Sequence, residues 1–362
     1  MRIREVTLYR AELPLIAPYR LSYRTFESFE PLIVEIRDED GREGWGEQHI
    51  SPGSSAETRE GGWAFAREIG ERLTGLTPQA ARDLITVRAA ESPVAATALI
   101  TAIEMLEEAP VLRSGRLTRL RLLTAFGATG RAEIEQEVEA HLAEGFRTFK
   151  IKVGQDVDAD IERVGWVQQA AAGKATLRID ANRAYSRVDG CRFAAAIDPA
   201  GIELFEQPCA AEDWDANAAV ATVSRVPLML DEPICGLADI DRAAAIPGVG
   251  LCKVKLKRFG SLSNLAAAIE RIRGAGLQAV LGDGLGAEIN CWMEARAADG
   301  VLDNAGEFNG YLKIRPEARL LADPLLFEAG ELVVPTGWWP RMDRARLEHR
   351  TVARERFAPA AV

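Results

Sequence analysis

The sequence predicts an α/β fold, a (β/α)7β barrel preceded by an α+β module, and two observations carry that prediction. From Arg119 onward, short apolar runs alternate with amphipathic stretches, the pattern of parallel strands joined by covering helices. Charged residues also close, or nearly close, successive runs: Lys150 and Lys152 in TFKIK, Asp180 in LRID, Glu206 in ELFE, Asp231 in LMLD and Lys255 in CKVK. They recur at steps of roughly 25 residues, one strand plus one helix and two loops. Active sites of β/α barrels lie where the strands end, so the pattern points to an enzyme.

Residues 2–13 and 31–37 alternate as strands, and Asp40-Gly41 marks a hairpin turn leading into Gly44-Trp45-Gly46-Glu47. Helices are expected over 55–73 and 93–109, the second with an apolar stripe at helical spacing. The first barrel strand covers 119–126, and a helix over 131–145 ends at Gly145. Strands over 148–152, 176–180, 202–206, 228–232, 251–255 and 278–283 then alternate with helices. Those helices fall at 157–172, 187–196, 213–224, 238–245, 261–274 and 286–298, and a last strand near 306–314 makes eight. Eight parallel strands close more naturally as a barrel than as an open sheet. A flavodoxin-like or Rossmann sheet would need fewer strands and a phosphate-type glycine loop after strand one, and Ala125-Phe126-Gly127-Ala128 is not such a loop. The expected units are 1–117, the α+β module; 118–325, the barrel; and 326–362, a segment returning to the module.

The 362 residues are 48% hydrophobic and 27% charged, with a net charge of −10, which argues against a nucleic-acid partner. The opening MRIREVTLYRAELPL is too charged for a signal-peptide core, and no apolar run approaches a membrane span. A cytoplasmic protein with no membrane partner is expected. Cys191, Cys209, Cys235, Cys252 and Cys291 form no CxxC pair and read as buried free thiols. The expected partner is a small-molecule carboxylate, and a homo-oligomer is expected.

Asp180, Glu206 and Asp231 end consecutive strands, so they share one arc of the barrel rim. Three clustered anions repel unless a cation sits among them, and all-oxygen ligation suits Mg²⁺, or Mn²⁺, better than zinc. The plainer alternative pairs each carboxylate with a nearby base, as Asp180 with Arg178 or Arg183. Lys150 and Lys152 share one face of strand two by alternation. Lys255 ends strand six, diametrically opposite. A neighbouring positive charge lowers a lysine pKa toward that of a useful base. Lys253 shares the alternation of Lys255 as an inward ion-pair partner, unless the register is wrong, and Lys257 is expected to leave the strand into solvent. Bases on either face of a bound carboxylate's α-carbon suit proton abstraction through an enediolate.

The order Lys-x-Lys, Asp180-x-Asn182, Glu206-Gln207-Pro208, Asp231-Glu232, then Lys255 before Arg258-Phe259-Gly260 resembles the enolase superfamily, and within it the muconate lactonizing enzyme subgroup. The likeness implies a modified TIM barrel with an N-terminal capping domain. It implies Asp180, Glu206 and Asp231 as Mg²⁺ ligands, Lys152 as one acid/base tuned by Lys150, and Lys255 as the group on the opposite face; such lysine-and-Mg²⁺ sites are a known pattern. The related mandelate racemase subgroup uses a histidine near strand seven, and His49, His141 and His349 all lie elsewhere.

The strand-seven text Gly282-Asp283-Gly284-Leu285-Gly286 departs from the subgroup and reads either as a tight loop or as placing Asp283 on substrate. Glu307-Phe308-Asn309 stands where dipeptide epimerases resembling this subgroup carry an Asp-x-Asp that holds an amino group, and Ser261 replaces a second glycine. Substrate contacts are assigned to Arg20, Tyr23, Arg24, Asn182, Asp283 and Glu307, with Tyr19, Phe26 and His49 near the same capping loops. The implied activity is a racemase or epimerase of an amino-acid-like or hydroxy-acid carboxylate. The alternatives are a lyase of the same family (dehydratase, cycloisomerase or o-succinylbenzoate-synthase-like), a Schiff-base aldolase, or a non-catalytic binding protein.

Overall fold

In the computed structural model, residues 1–20, 25–52, 56–113 and 115–359 are described, the side chain of Arg20 excepted. Seven parallel strands follow one another around a curved sheet. They are Thr124–Phe126, Thr148–Lys152, Thr176–Asp180, Ile202–Glu206, Leu228–Leu230, Val249–Val254 and Gln278–Leu281, called barrel strands one to seven. The ring is closed by the backbone around Gly306, the eighth position. Glu307 N donates to Leu281 O at 2.8 Å on one side, and Leu123 N donates to Gly306 O at 3.1 Å on the other. Gly282, at φ +104°, makes this closure possible, since a Cβ there would lie 2.5 Å from the Glu307 carbonyl carbon.

Two strand assignments need correction. The run 119–126 is not one strand, because it changes partners. Thr118–Arg121 pairs antiparallel with Glu331–Val334, Leu122 N turns to Gly330 O, and only Thr124–Phe126 joins the barrel. The expected strand over 306–314 is a bridge at Gly306 to the barrel, a 3-10 turn, Gly310–Lys313, and a bridge from Ile314 to Leu15. Gly310 packs against Gly286 O, 2.2 Å from where its Cβ would stand, and this close approach accompanies the turn.

At the chain start, an antiparallel sheet runs in the order Thr351–Phe357, Ile3–Ala11, Leu32–Asp38, Glu43–Gln48. A hairpin, Leu13–Arg20 with Thr25–Phe29, and helices Arg59–Leu73, Pro78–Arg88 and Pro93–Leu106 complete this module. The helix Pro78–Arg88 was not expected. Gly44 and Gly46 let the Glu43–Gln48 strand lie directly on the Pro93–Leu106 backbone; a Cβ on Gly46 would fall 1.9 Å from Ala98 O. The strand's end reaches the barrel: Glu47 accepts from Ala287, Ile289 and Asn290 backbone N–H groups, opening helix Glu288–Ala298. Glu104 does the same for helix Leu262–Gly274 through Leu262 N at 2.9 Å and Ser263 N at 3.4 Å. Carboxylates suit helix N-termini because they meet unpaired N–H groups and the positive end of the dipole. Trp338 and Trp339 pack on Trp292. Among the described residues no helix is long and apolar enough to cross a membrane.

Candidate active site

Strand register sets the level of the site. Lys152 lies opposite Asp180, and Asp180 opposite Glu206, across strands two to four. Asp231 follows strand five and Lys255 follows strand six. Lys150, Lys152, Asp180, Asn182, Asp231 and Lys255 all line one cavity of about 430 Å³. Glu206 is buried, 2.7 Å from the Lys150 ammonium. Strands two and six are four steps apart in a ring of eight, so Lys152 and Lys255 enter from opposite walls.

Lys150 Nζ lies 2.9 Å from Asp180, 2.7 Å from Glu206 and 2.6 Å from Glu307. Lys152 Nζ donates to Asp180 Oδ2 at 2.6 Å and to Asn182 Oδ1 at 2.7 Å. Lys255 Nζ donates to Asp231 Oδ2 at 2.9 Å. Asn182 and Gln207 hold positive φ, +44° and +36°, a conformation costing side-chain-bearing residues roughly 1–3 kcal/mol. Their side chains and amides answer for it: Asn182 N donates to Asp180 Oδ1, and Asp231 N donates to Gln207 Oε1.

Electrostatics differ from the expectation of depressed lysines. Burial pulls Lys150 down, yet Asp180, Glu206 and Glu307 hold it well above an ordinary lysine. Burial likewise lowers Lys255, and Asp231 outweighs it. Carboxylates outnumber ammonium groups around each, and this sets the sign. Burial would raise Asp180 and Asp231, but Lys150 and Lys152 hold the first below the aspartate range, and Arg258 with Lys255 hold the second well below. Glu206 goes the other way, raised by burial and then by Asp180.

The plain pairing of Asp180 with arginine is not seen. Arg178 pairs with Glu203 at 2.6 Å and Arg183 with Glu232 at 3.2 Å. For a divalent cation, the donor set is all carboxylate oxygen. Both Glu206 oxygens and Asp231 Oδ1 are buried without a well-angled hydrogen bond, although Lys150 and Arg258 lie within ion-pair reach. Hard oxygen donors with unmet acceptor capacity fit an oxygen-liganded ion. As the side chains stand, Lys150 lies beside Glu206 and Arg258 beside Asp231 Oδ1. No three Asp, Glu, His or Cys side chains among the described residues gather as ligands of one point.

The other assigned contacts divide. Asn182, Asp283 and Glu307 line the cavity. Glu307 is not open to a ligand, because its oxygens meet Lys150 and the fully buried Lys253. Lys253 is therefore the inward partner. Asp283 pairs with Lys257 at 2.5 Å, which corrects the expectation that Lys257 points to solvent. Strand six ends at Val254, and the single turn Leu256–Phe259 carries Lys257 back to the cavity. Tyr23, Arg24 and the Arg20 side chain lie outside the described residues. Tyr19 lines the cavity, whereas Phe26 and His49 are buried together with Phe29. All five cysteines are free, and Cys235, exposed rather than buried, lines the cavity. Ser261, in place of the second glycine, caps helix Leu262–Gly274. The sequence reading missed Glu232, Cys235 and the capping-module wall of Ala56, Ala90, Pro93 and Val94. Glu232 follows Asp231 directly, which was a usable signal; the wall comes from distant helices and had none.

A closed parallel barrel with opposed lysines and strand-end carboxylates on one rim is an enzyme site, of the isomerase or lyase kind. Residues 133–338 match the enolase C-terminal domain-like family, and the chain belongs to the enolase superfamily, on its muconate lactonizing side. It is 30% identical to the L-Lys-D/L-Arg epimerase of Methylococcus capsulatus over 73% of this chain and 77% of that protein. It is 28% identical to muconate cycloisomerase 1 of Acinetobacter baylyi over 93% and 96%. In fold it matches an N-succinyl Arg/Lys racemase from Bacillus cereus with a TM-score of 0.87 at 19% identity, covering 98% of this chain and 100% of that one.

Proposed function

We propose that this enzyme removes the proton α to a substrate carboxylate and returns one to the opposite face, as a racemase or epimerase of an amino-acid-like or hydroxy-acid carboxylate. The observation that carries the reading is the opposition of Lys152 and Lys255 across one cavity, each bonded to a carboxylate of the same rim. Asp180, Glu206 and Asp231 would hold Mg²⁺ or Mn²⁺, and a bound ion supplies positive charge against the charge that grows on the substrate carboxylate.

One lysine, as the free amine, takes the α-proton and becomes an ammonium. The C–H pair moves into the carboxylate, giving an enediolate. The opposite lysine, starting as the ammonium, delivers its proton to the other face and ends as the amine. Lys150, locked among three carboxylates, places positive charge beside Lys152 without leaving its position. The cycloisomerase and o-succinylbenzoate synthase relatives favour a second reading with the same first step, in which a β-leaving group departs instead of a proton returning.

The test is ¹H NMR in D₂O with a panel of N-acyl amino acids, dipeptides and hydroxy acids. Loss of the α-proton signal is expected, abolished by chelation and by Lys152→Ala with Lys255→Ala. Exchange indifferent to both treatments would overturn the mechanism. Each single variant should block exchange of one enantiomer far more than the other.

A further inference from the structure

Beside the acid/base pair stands a second charged pair that the proposed chemistry does not use. Lys257 and Asp283 lie 2.5 Å apart in the cavity wall, their side chains only 10% and 7% exposed. Asp283 is fully engaged, since its Oδ1 accepts from Leu285 N at 2.9 Å within its own loop. Lys257 is not. An ammonium has three N–H groups, Asp283 takes one, and no other described residue is within ion-pair or hydrogen-bond reach. The remaining N–H groups are available to the cavity, where an acceptor oxygen from a ligand can take the place of water.

On the strand-eight side of the cavity the carboxylate is not free. Glu307 is taken by Lys150 and Lys253. Asn309 next to it accepts from Lys313 at 2.9 Å and donates to Leu123 O at 2.7 Å. A substrate ammonium placed here would face Lys257, and the cavity's unpartnered carboxylate oxygen, on Glu232, stands beside Asp231 instead. Lys255 and Lys257 line the same cavity and both act on Asp283, so Lys257 stands on the side from which Lys255 meets the α-carbon.

We infer that Lys257, held by Asp283, determines specificity by receiving an acceptor oxygen, carboxylate or acyl carbonyl, from the non-reacting end of the substrate. This rests on the α-proton reading of the same site. Asp283 is then a positioning residue: it aims the ammonium and does not itself meet the substrate.

A matched series tests the assignment: the N-succinyl, N-acetyl and glycyl derivatives of one amino acid, followed by α-proton exchange. Acetyl and glycyl differ by a single ammonium, and succinyl adds a carboxylate. For the wild type, kcat/KM for the glycyl compound should fall about tenfold or more below the acetyl compound, because both keep the acyl carbonyl and the added ammonium meets that of Lys257. Succinyl above acetyl identifies a carboxylate as the acceptor, and equal values identify the carbonyl. Lys257→Met should raise KM for the favoured compound about tenfold with kcat changed far less, the pattern of lost uniform binding. Lys257→Arg should restore most of it. Asp283→Asn should raise KM in the same sense. A glycyl compound turned over as well as the acetyl one overturns the assignment without any variant, as does a Lys257→Met enzyme with unaltered KM. Absence of exchange with every carboxylate by the wild type would instead remove the α-proton reading, and this assignment with it.

Discussion

At the residue scale, the buried pair beneath the cavity shows how the site is held. Lys253 is wholly buried, and its recorded partner is Glu307, which also fixes Lys150. Replacing Glu307 with Gln strands a buried ammonium, and breaking such a pair costs about 3–5 kcal/mol. Urea denaturation should show a loss of that size, and Lys253→Met in the same chain should recover much of it. A Glu307→Gln protein as stable as the wild type would show that the pair is not what holds strands six and eight together. The lysines and the rim carboxylates were legible because strand alternation and parallel register are simple rules. Lys257 was not. It was expected to leave the strand into solvent, and only the helical turn Leu256–Phe259 past the strand end brings it back to the cavity. Glu307 was assigned to substrate because sequence shows a carboxylate and not its partners.

Elements were legible where their period was long and their caps local, as in helices Val157–Ala171 and Leu262–Gly274, both begun by side-chain caps. Those that failed depend on contacts distant in sequence. The first run divides because Leu122 finds Gly330, and the last shortens at Gly310, where the chain packs on the strand-seven loop. Helix Pro78–Arg88 did carry a local signal, Thr77 capping before Pro78, that was passed over. The closure of strand seven against the eighth position can be probed directly. Gly282→Ala adds a methyl group against the Glu307 backbone at a φ that side chains avoid. It should cost about 2–4 kcal/mol by strain and overpacking. Because Glu307 and Asp283 flank that contact, exchange activity should fall together with the denaturation midpoint. Full activity in a destabilised variant would separate the closure from the site.

For the whole molecule, the carboxylates Glu47 and Glu104 join the first module to two barrel helices. Glu47 is pushed up to about 7 from the ordinary 4.5, by burial first, against its three backbone donors. A carboxyl raised on folding stabilises fully below its unfolded pKa, and that stability is lost as pH rises through the folded value. Relative to Glu47→Gln, the wild type should therefore lose about 3 kcal/mol of unfolding free energy between pH 4.5 and 7.5. Denaturation curves at both values decide it, and a constant difference would mean the carboxylate is already ionised at its helix end. These two clamps also predict a single cooperative unfolding transition for module and barrel, followed by far-UV circular dichroism and tryptophan fluorescence together.

The first strand, Ile3–Ala11, keeps one edge for Thr351–Phe357, the last strand described. On a ribosome this strand therefore waits, with a row of unpaired backbone groups, until nearly the whole barrel has been made. An open strand edge is a template for pairing with other chains. The nascent protein is thus most vulnerable to association at this sheet, and a chaperone that shields it should raise the folded yield more than one acting on the barrel.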